Sequence, residues 1–183
     1  SHSNSESTGY YSNISVSLLH PLVKLWETLY HCTIKRPNEV QTGNYENGYS
    51  CAIIILAVAL MESILNRTYE ILRSRSQAKV LPRKYSSLDF FKKQFRDSDL
   101  CDSLQELFVV RDVLVHNHNW SAEVSWAEDG LRFAGEPALD RETYGDKKYK
   151  DVLDLRTRQT KLQGINLFPT RIWRRDAALV LRS

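Results

Sequence analysis

A mainly α-helical fold, an up-and-down bundle finished by a small β-hairpin and an extended C-terminal elaboration, is what this sequence predicts. Three observations carry that prediction. Leucines recur at three- and four-residue spacing near the start, an eleven-residue apolar run (Cys51 to Met61) opens a long helical stretch, and the periodicity switches to two only beyond His118. With 183 residues, 42% hydrophobic and 26% charged, the chain suits one globular domain. A membrane span needs about 20 apolar residues, so the run reads as a buried core helix.

Residues 1–14 form a flexible N-terminus, residues 15–120 the bundle, and residues 121–183 a hairpin and basic elaboration of the same domain. The first helix covers Ser15 to Thr33 through Leu18, Leu22, Leu25, Leu29 and Cys32, with Pro21 near its start, where a missing N–H is tolerated. A polar loop with a proline and two glycines follows. The second helix runs from Tyr49 to Arg75, apolar all round and then amphipathic through Ile64, Leu65, Tyr69, Ile71 and Leu72, which places its first half at the centre of the molecule. Ser87 caps a short third helix with Phe90, Phe91 and Phe95 facing inward. The fourth starts near Asp99. Beyond it Val124, Trp126, Leu131 and Phe133 alternate around Asp129 and Gly130, a hairpin signal. Val152 to Leu162 reads as helical, an extended segment with a proline follows, and Asp176 starts a final short helix.

Net charge is only +3, but its distribution is uneven. Arg67 to Arg96 holds nine basic residues against two acids, and Arg156 to Arg175 six against none. Asp97 to Asp146 holds twelve acids against three basic residues. Clustered positive charge of this kind can suit a phosphate polymer, while for a charge run taken alone solvated helix faces are the simpler reading. Arg73, Arg75 and Lys84 in the first basic region, and Arg171, Arg174 and Arg175 in the second, are the candidate RNA contacts. Cys32, Cys51 and Cys101 form no C-x-x-C pair, which fits reduced thiols in a cytoplasmic setting, and the N-terminus does not read as a signal peptide. Neither a membrane partner nor a cofactor is expected.

The chemistry-bearing stretch is "ELFVVRDVLVHNHNW", residues 106 to 120. On a helical wheel Leu100, Leu104, Leu107 and Leu114 define the core stripe, and Arg111 falls inside it, as does His118 if the helix extends that far. A charge there requires a partner, because burying it alone costs several kcal/mol or more. Asp112 and His116, four apart, can pair on one turn. Arg111 and His116, five apart, lie about 140° around an ideal helix and do not converge. Loosening of the helix end near Asn117 could bring them together, or a second copy across a two-fold axis could supply the other half. Val109, Val110, Val113, Leu114 and Val115 cover the circumference here, which favours the second route and a homodimer packed around this helix.

An arginine can hold a phosphodiester and stabilise its transition-state charge, and a near-neutral histidine can exchange a proton. RNA brings its own nucleophile in the 2′-hydroxyl, so these two roles suffice for cleavage without a metal, leaving a 2′,3′-cyclic phosphate. Asp112 could orient the histidine ring.

"RDVLVH", Arg111 to His116, resembles the R-x(4–6)-H motif of the HEPN (higher eukaryotes and prokaryotes nucleotide-binding) superfamily, over about residues 15 to 120. The resemblance implies a helical bundle and, as in many members, a metal-independent endoribonuclease of toxin–antitoxin or antiphage defence systems, active as a dimer. It makes Arg111 and His116 catalytic and Asp112 a supporting polar residue, with Asn117 and His118 as auxiliaries and an antitoxin or regulatory protein as a possible partner. Two departures stand out. His118 occupies the place of the tyrosine that is nucleotidylated in one member class, and Asp112 stands where asparagine is commoner.

Rival readings use the same residues. Arg111 could bridge to Glu62 on the second helix while His116 caps the helix C-terminus. His116 and His118 could form a metal pair, although that spacing suits a strand better. No Gly-rich phosphate loop, G-x-S-x-G or H-E-x-x-H motif is present. The alternative to a nuclease is a non-catalytic helical module that binds RNA, a nucleotide or a partner protein.

Overall fold

The computed structural model describes residues 14–31, 46–75, 87–95, 98–116, 120–121, 123–128, 130–133, 138–139, 147–154, 156–168 and 171–183. Its helices are α1 (Ile14–His31), α2 (Glu46–Arg75), α3 (Ser87–Phe95), α4 (Ser98–Val115), α5 (Lys147–Val152) and α6 (Arg174–Arg182). The strands are β1 (Trp120–Ser121), β2 (Val124–Ala127), β3 (Gly130–Phe133), β4 (Ala138–Leu139), β5 (Leu153–Asp154) and β6 (Gln159–Thr160). The fold is mainly α with a minor β elaboration.

The central element is α2, with α1, α3, α4 and α6 packed around it. Ile53, Ile54, Ala57 and Val58 meet Leu22 and Leu29 of α1 in the main core, which continues through Val109, Val110, Val113 and Leu114 of α4. A smaller cluster of Leu65, Leu88 and Leu104 joins α2, α3 and α4. Leu65 beside Leu104, together with Glu62 beside Arg111, makes α2 and α4 antiparallel. Among the described residues α2 alone is long and apolar enough to cross a membrane. Here it runs through the core, and its first turn buries Glu46, Asn47 and Ser50.

Helix α1 begins at Ile14, so Pro21 falls inside it rather than near its start. One i→i−4 rung is lost there, which this mostly solvent-facing helix accommodates in its interior. The third helix buries Leu88 and half-buries Phe90 and Phe91, with Phe90 edge-on to Tyr69 at 4.9 Å between ring centres.

A nested β-arm follows α4. Strands β1 and β4 pair at its base, and β2 and β3 form the tip, with Val124 opposite Phe133 and Trp126 opposite Leu131. Gly130 closes the tip turn at φ +125°, a conformation that an L side chain resists.

Val152 to Leu162 is not helical. Helix α5 ends at Val152 and a β5–β6 hairpin takes over, antiparallel from Leu153↔Thr160. The cause is local: Asp154 turns its carboxylate onto the backbone N–H groups of Arg156 (2.9 Å) and Thr157 (3.4 Å), and Arg158 adopts φ +58°. Asp side chains compete with helical bonding in this way. Helix α6 starts at Arg174. Asp176, at its third position, accepts the Trp173 N–H at 2.8 Å and the Asn166 N–H at 2.9 Å, which fixes the entry of the helix.

Candidate functional site

The protomer itself encloses most of the apolar circumference of the fourth helix, Val115 at its end remaining exposed. One side faces α2, and the other faces the C-terminal segment, whose Tyr149, Val152, Leu153, Ile165 and Leu167 belong to the same core as Val109, Val110, Val113 and Leu114. Burial of Val109, Val110, Val113 and Leu114 is therefore met within one chain. Leu100, expected in the core stripe, is exposed at the start of the helix, while Leu104, Leu107 and Leu114 are buried.

Glu106 fixes how the C-terminal segment sits. It is 1% exposed, and its two carboxylate oxygens accept the backbone N–H groups of Leu162 at 2.8 Å and Gln163 at 2.9 Å. Charge-assisted bonds to two successive amides of one turn tie α4 to the tail. One turn further on, Arg111 is half-buried between α4 and α2. Its Nε and Nη2 donate to Asp112 Oδ1 at 3.1 and 2.9 Å, its Nη1 donates to Glu62 Oε2, and its guanidinium lies 5.6 Å from the centre of the Phe108 ring. Burial opposes the charge, but hydrogen bonding to and attraction by Asp112, and then Glu62, outweigh it and hold the Arg111 pKa above its ordinary value. The bridge to Glu62 weighed from sequence is thus present.

An arginine has five N–H donors. Three are used in these bonds, so among the described residues one N–H on each Nη remains for another acceptor. Among the described residues the guanidinium thus faces two carboxylates, those of Asp112 and Glu62. His116 follows the last helical residue, exposed, and its N–H still bonds the Asp112 carbonyl at 3.0 Å. The helical twist therefore persists as far as His116, and loosening before that point does not bring it round to Arg111. Asn117 and His118 lie outside the described residues.

Among the described residues the candidate RNA contacts fall toward the two ends of α2. Arg73 and Arg75 occupy the last turn of α2, and Lys84 lies outside the described residues. Arg174 sits at the other end of α2, its N–H donating to Glu46 at 3.0 Å and its guanidinium 5.9 Å from the Tyr30 ring centre, with Arg171 and Arg175 exposed nearby in sequence. At about 1.5 Å per residue, Glu46 and Arg73 are ~40 Å apart along the helix axis. Arg111 stands between, opposite Glu62.

A cavity of about 350 Å³, which no sequence pattern marks, lies between α3, α4, α5 and the turn after β6, lined by Lys92, Asp102, Gln105, Asp151 and Lys161 among others. Its lysines already serve the protein: Lys92 donates to Gln105, and Lys161 to the Lys150 carbonyl at 2.7 Å. Among the described residues no group of three or more His, Cys, Asp or Glu side chains could hold a metal ion. No family model, curated protein or solved structure matches the chain.

Proposed function

We propose that the chain is a HEPN-type domain acting as a metal-independent endoribonuclease, with Arg111 binding the scissile phosphate and His116 exchanging the proton during attack by the RNA 2′-hydroxyl. The observation that carries this reading is the Arg111 guanidinium. Two carboxylates and an aromatic ring orient it, and among the described residues one N–H on each Nη is left over by these bonds, one turn from an exposed histidine. A guanidinium held this way loses little freedom on meeting a phosphate. The 140° between Arg111 and His116 is closed by a second copy at the exposed end of α4, so the active form is a homodimer. An RNA target sets the protein in the cytoplasm, and a toxin or antiphage role, held in check by an antitoxin or regulator, follows from the same reading.

One observation favours a second reading. The Glu62 and Asp112 carboxylates both hold the Arg111 guanidinium, which competes with phosphate binding, and a non-catalytic HEPN-like module would use the Arg111 cluster only to join α2 and α4. Incubation with structured RNA in excess EDTA separates the two. Cleavage by wild type alone, with cyclic phosphate ends and none from Arg111→Ala or His116→Ala, supports the nuclease. Undiminished cleavage by both variants removes these residues from the chemistry, and absent cleavage with RNA still bound favours the module.

A further inference from the structure

The cavity between α3, α4, α5 and the turn after β6 holds charged groups that do not answer one another. Lys92 lies 3.7 Å from Asp102, so those two are matched. Glu106 and Asp151 line the same cavity and are not. Glu106 is 1% exposed, and its bonds among the described residues are to two neutral amides, while Asp151 forms no ion pair among them. A buried carboxylate without a cation opposite it keeps an uncompensated desolvation cost. Lys161, also lining the cavity, gives one of its three N–H donors to the Lys150 carbonyl and meets no carboxylate at ion-pair distance among the described residues.

The backbone that carries these groups is one hydrogen-bonded frame. The Lys161 N–H donates to the carbonyl of Val152, the residue after Asp151, at 2.9 Å, and the next N–H along, that of Leu162, donates to Glu106 at 2.8 Å. A ligand entering here meets anchors that are already fixed, which lowers the cost of binding. Size and chemistry then narrow the occupant. A volume of about 350 Å³ lies at the small end of ligand pockets, which run from about 300 to 1,000 Å³. The unmatched carboxylates call for an ammonium and Lys161 for an anion, while Val152 and Leu162 offer apolar surface beside them. Among the described residues no aromatic side chain lines the cavity, so a nucleobase has nothing to stack on.

We infer that this cavity binds a small zwitterion of the α-amino acid type, its ammonium toward Glu106 and Asp151, its carboxylate on Lys161 and an aliphatic side chain against Val152 and Leu162. The bound molecule bridges α4 and the tail where Glu106 already joins them. Glu106 and Arg111 are five apart, about 140° around α4, so the site is separate from the Arg111 cluster and does not depend on cleavage of RNA.

Calorimetric titration and thermal unfolding of the full chain with L-leucine, L-valine and L-methionine test it, with N-acetylleucine and leucinamide each removing one ligand charge. A dissociation constant of about 1 mM is expected for the best of the three, ordinary for so small a ligand. At about 10 mM it raises the unfolding midpoint by about 3–5 °C, and the backbone amide resonances of Leu162 and Gln163 move. Asp151→Asn and Lys161→Met each weaken binding ~10-fold or more, the loss of one charge-assisted contact. Both side chains are exposed, so the ligand-free urea midpoint stays where it is. Each singly charged analogue binds as weakly to wild type. No binding of any of the three amino acids at about 20 mM overturns the inference. So does binding indifferent to both substitutions, or equally tight binding of either analogue, of inorganic phosphate or of adenosine monophosphate.

Discussion

Replacing Glu106 by glutamine decides which of two opposed effects rules the junction between α4 and the tail. The carboxylate accepts two backbone N–H groups at 2.8 and 2.9 Å while 1% exposed. Glutamine retains one acceptor, so one bond persists as a neutral contact and weakens by about 1 kcal/mol. Its amide group turns a donor toward the other N–H, leaving it buried and unsatisfied at a cost of about 1–3 kcal/mol. Against this, a neutral side chain is spared the desolvation of a buried charge, a cost of several kcal/mol in isolated settings. Two amide donors in direct contact offset most of that cost in the native protein, so Glu106→Gln is expected to destabilise by about 2–3 kcal/mol and Glu106→Ala by about 3–5 kcal/mol. Urea unfolding at pH 7 with an unchanged m value measures both. A glutamine variant as stable as wild type, or more stable, shows that desolvation wins and refutes the assignment of Glu106 as the tie between α4 and residues 162–163.

Other outcomes are equally specific. His116→Ala, altering an exposed side chain, leaves stability within about 0.5 kcal/mol, whereas Arg111→Ala leaves Glu62 and Asp112 facing one another and costs about 1–2 kcal/mol in the same urea experiment. Burial, with Asp176 adding to it, pushes the Cys51 thiol up to about 12, so native protein at pH 8 leaves this thiol unmodified by a disulfide reagent that labels the urea-unfolded chain. The sign for stability follows: the folded pKa lies above the unfolded one, so the contribution is complete below about pH 9 and is lost as pH rises from there toward 12, seen as a falling urea midpoint. Gly130→Ala meets no atom within 4 Å, so its cost of about 1–2 kcal/mol comes from φ alone and is read as lost amide protection in the β-arm.

Regular periodicity was legible, and long-range polar pairing was not. The run from Cys51 to Met61 named the central helix because an all-round apolar segment has to be enclosed, and the alternation around Asp129 and Gly130 named the arm. Glu62 could be weighed as a partner for Arg111 because a charge on a core stripe demands one. Glu106 was invisible: its partners are backbone N–H groups 56 and 57 residues away, which no side-chain pattern marks. Val152 to Leu162 misled because Asp154 prefers the amides of its own turn to a helical ladder. The valines of α4 misled differently. An apolar circumference states that both sides are covered, and leaves open whether the same chain covers them.

That cover arrives late. Glu46 at the head of α2 bonds Arg174, 128 residues further along, and among the described residues the outer side of α4 is closed by residues from Tyr149 onward. During synthesis the segment through Val115 therefore leaves the ribosome with its valines open to water for the time taken to make at least 30 further residues, about 2–6 seconds at ordinary rates. Contacts so far apart in sequence also slow the final closure, because the loop between them has to be ordered first. Until then Glu106 stands without the two amides of residues 162 and 163, so the fourth helix reaches its final polar pairing only with the tail.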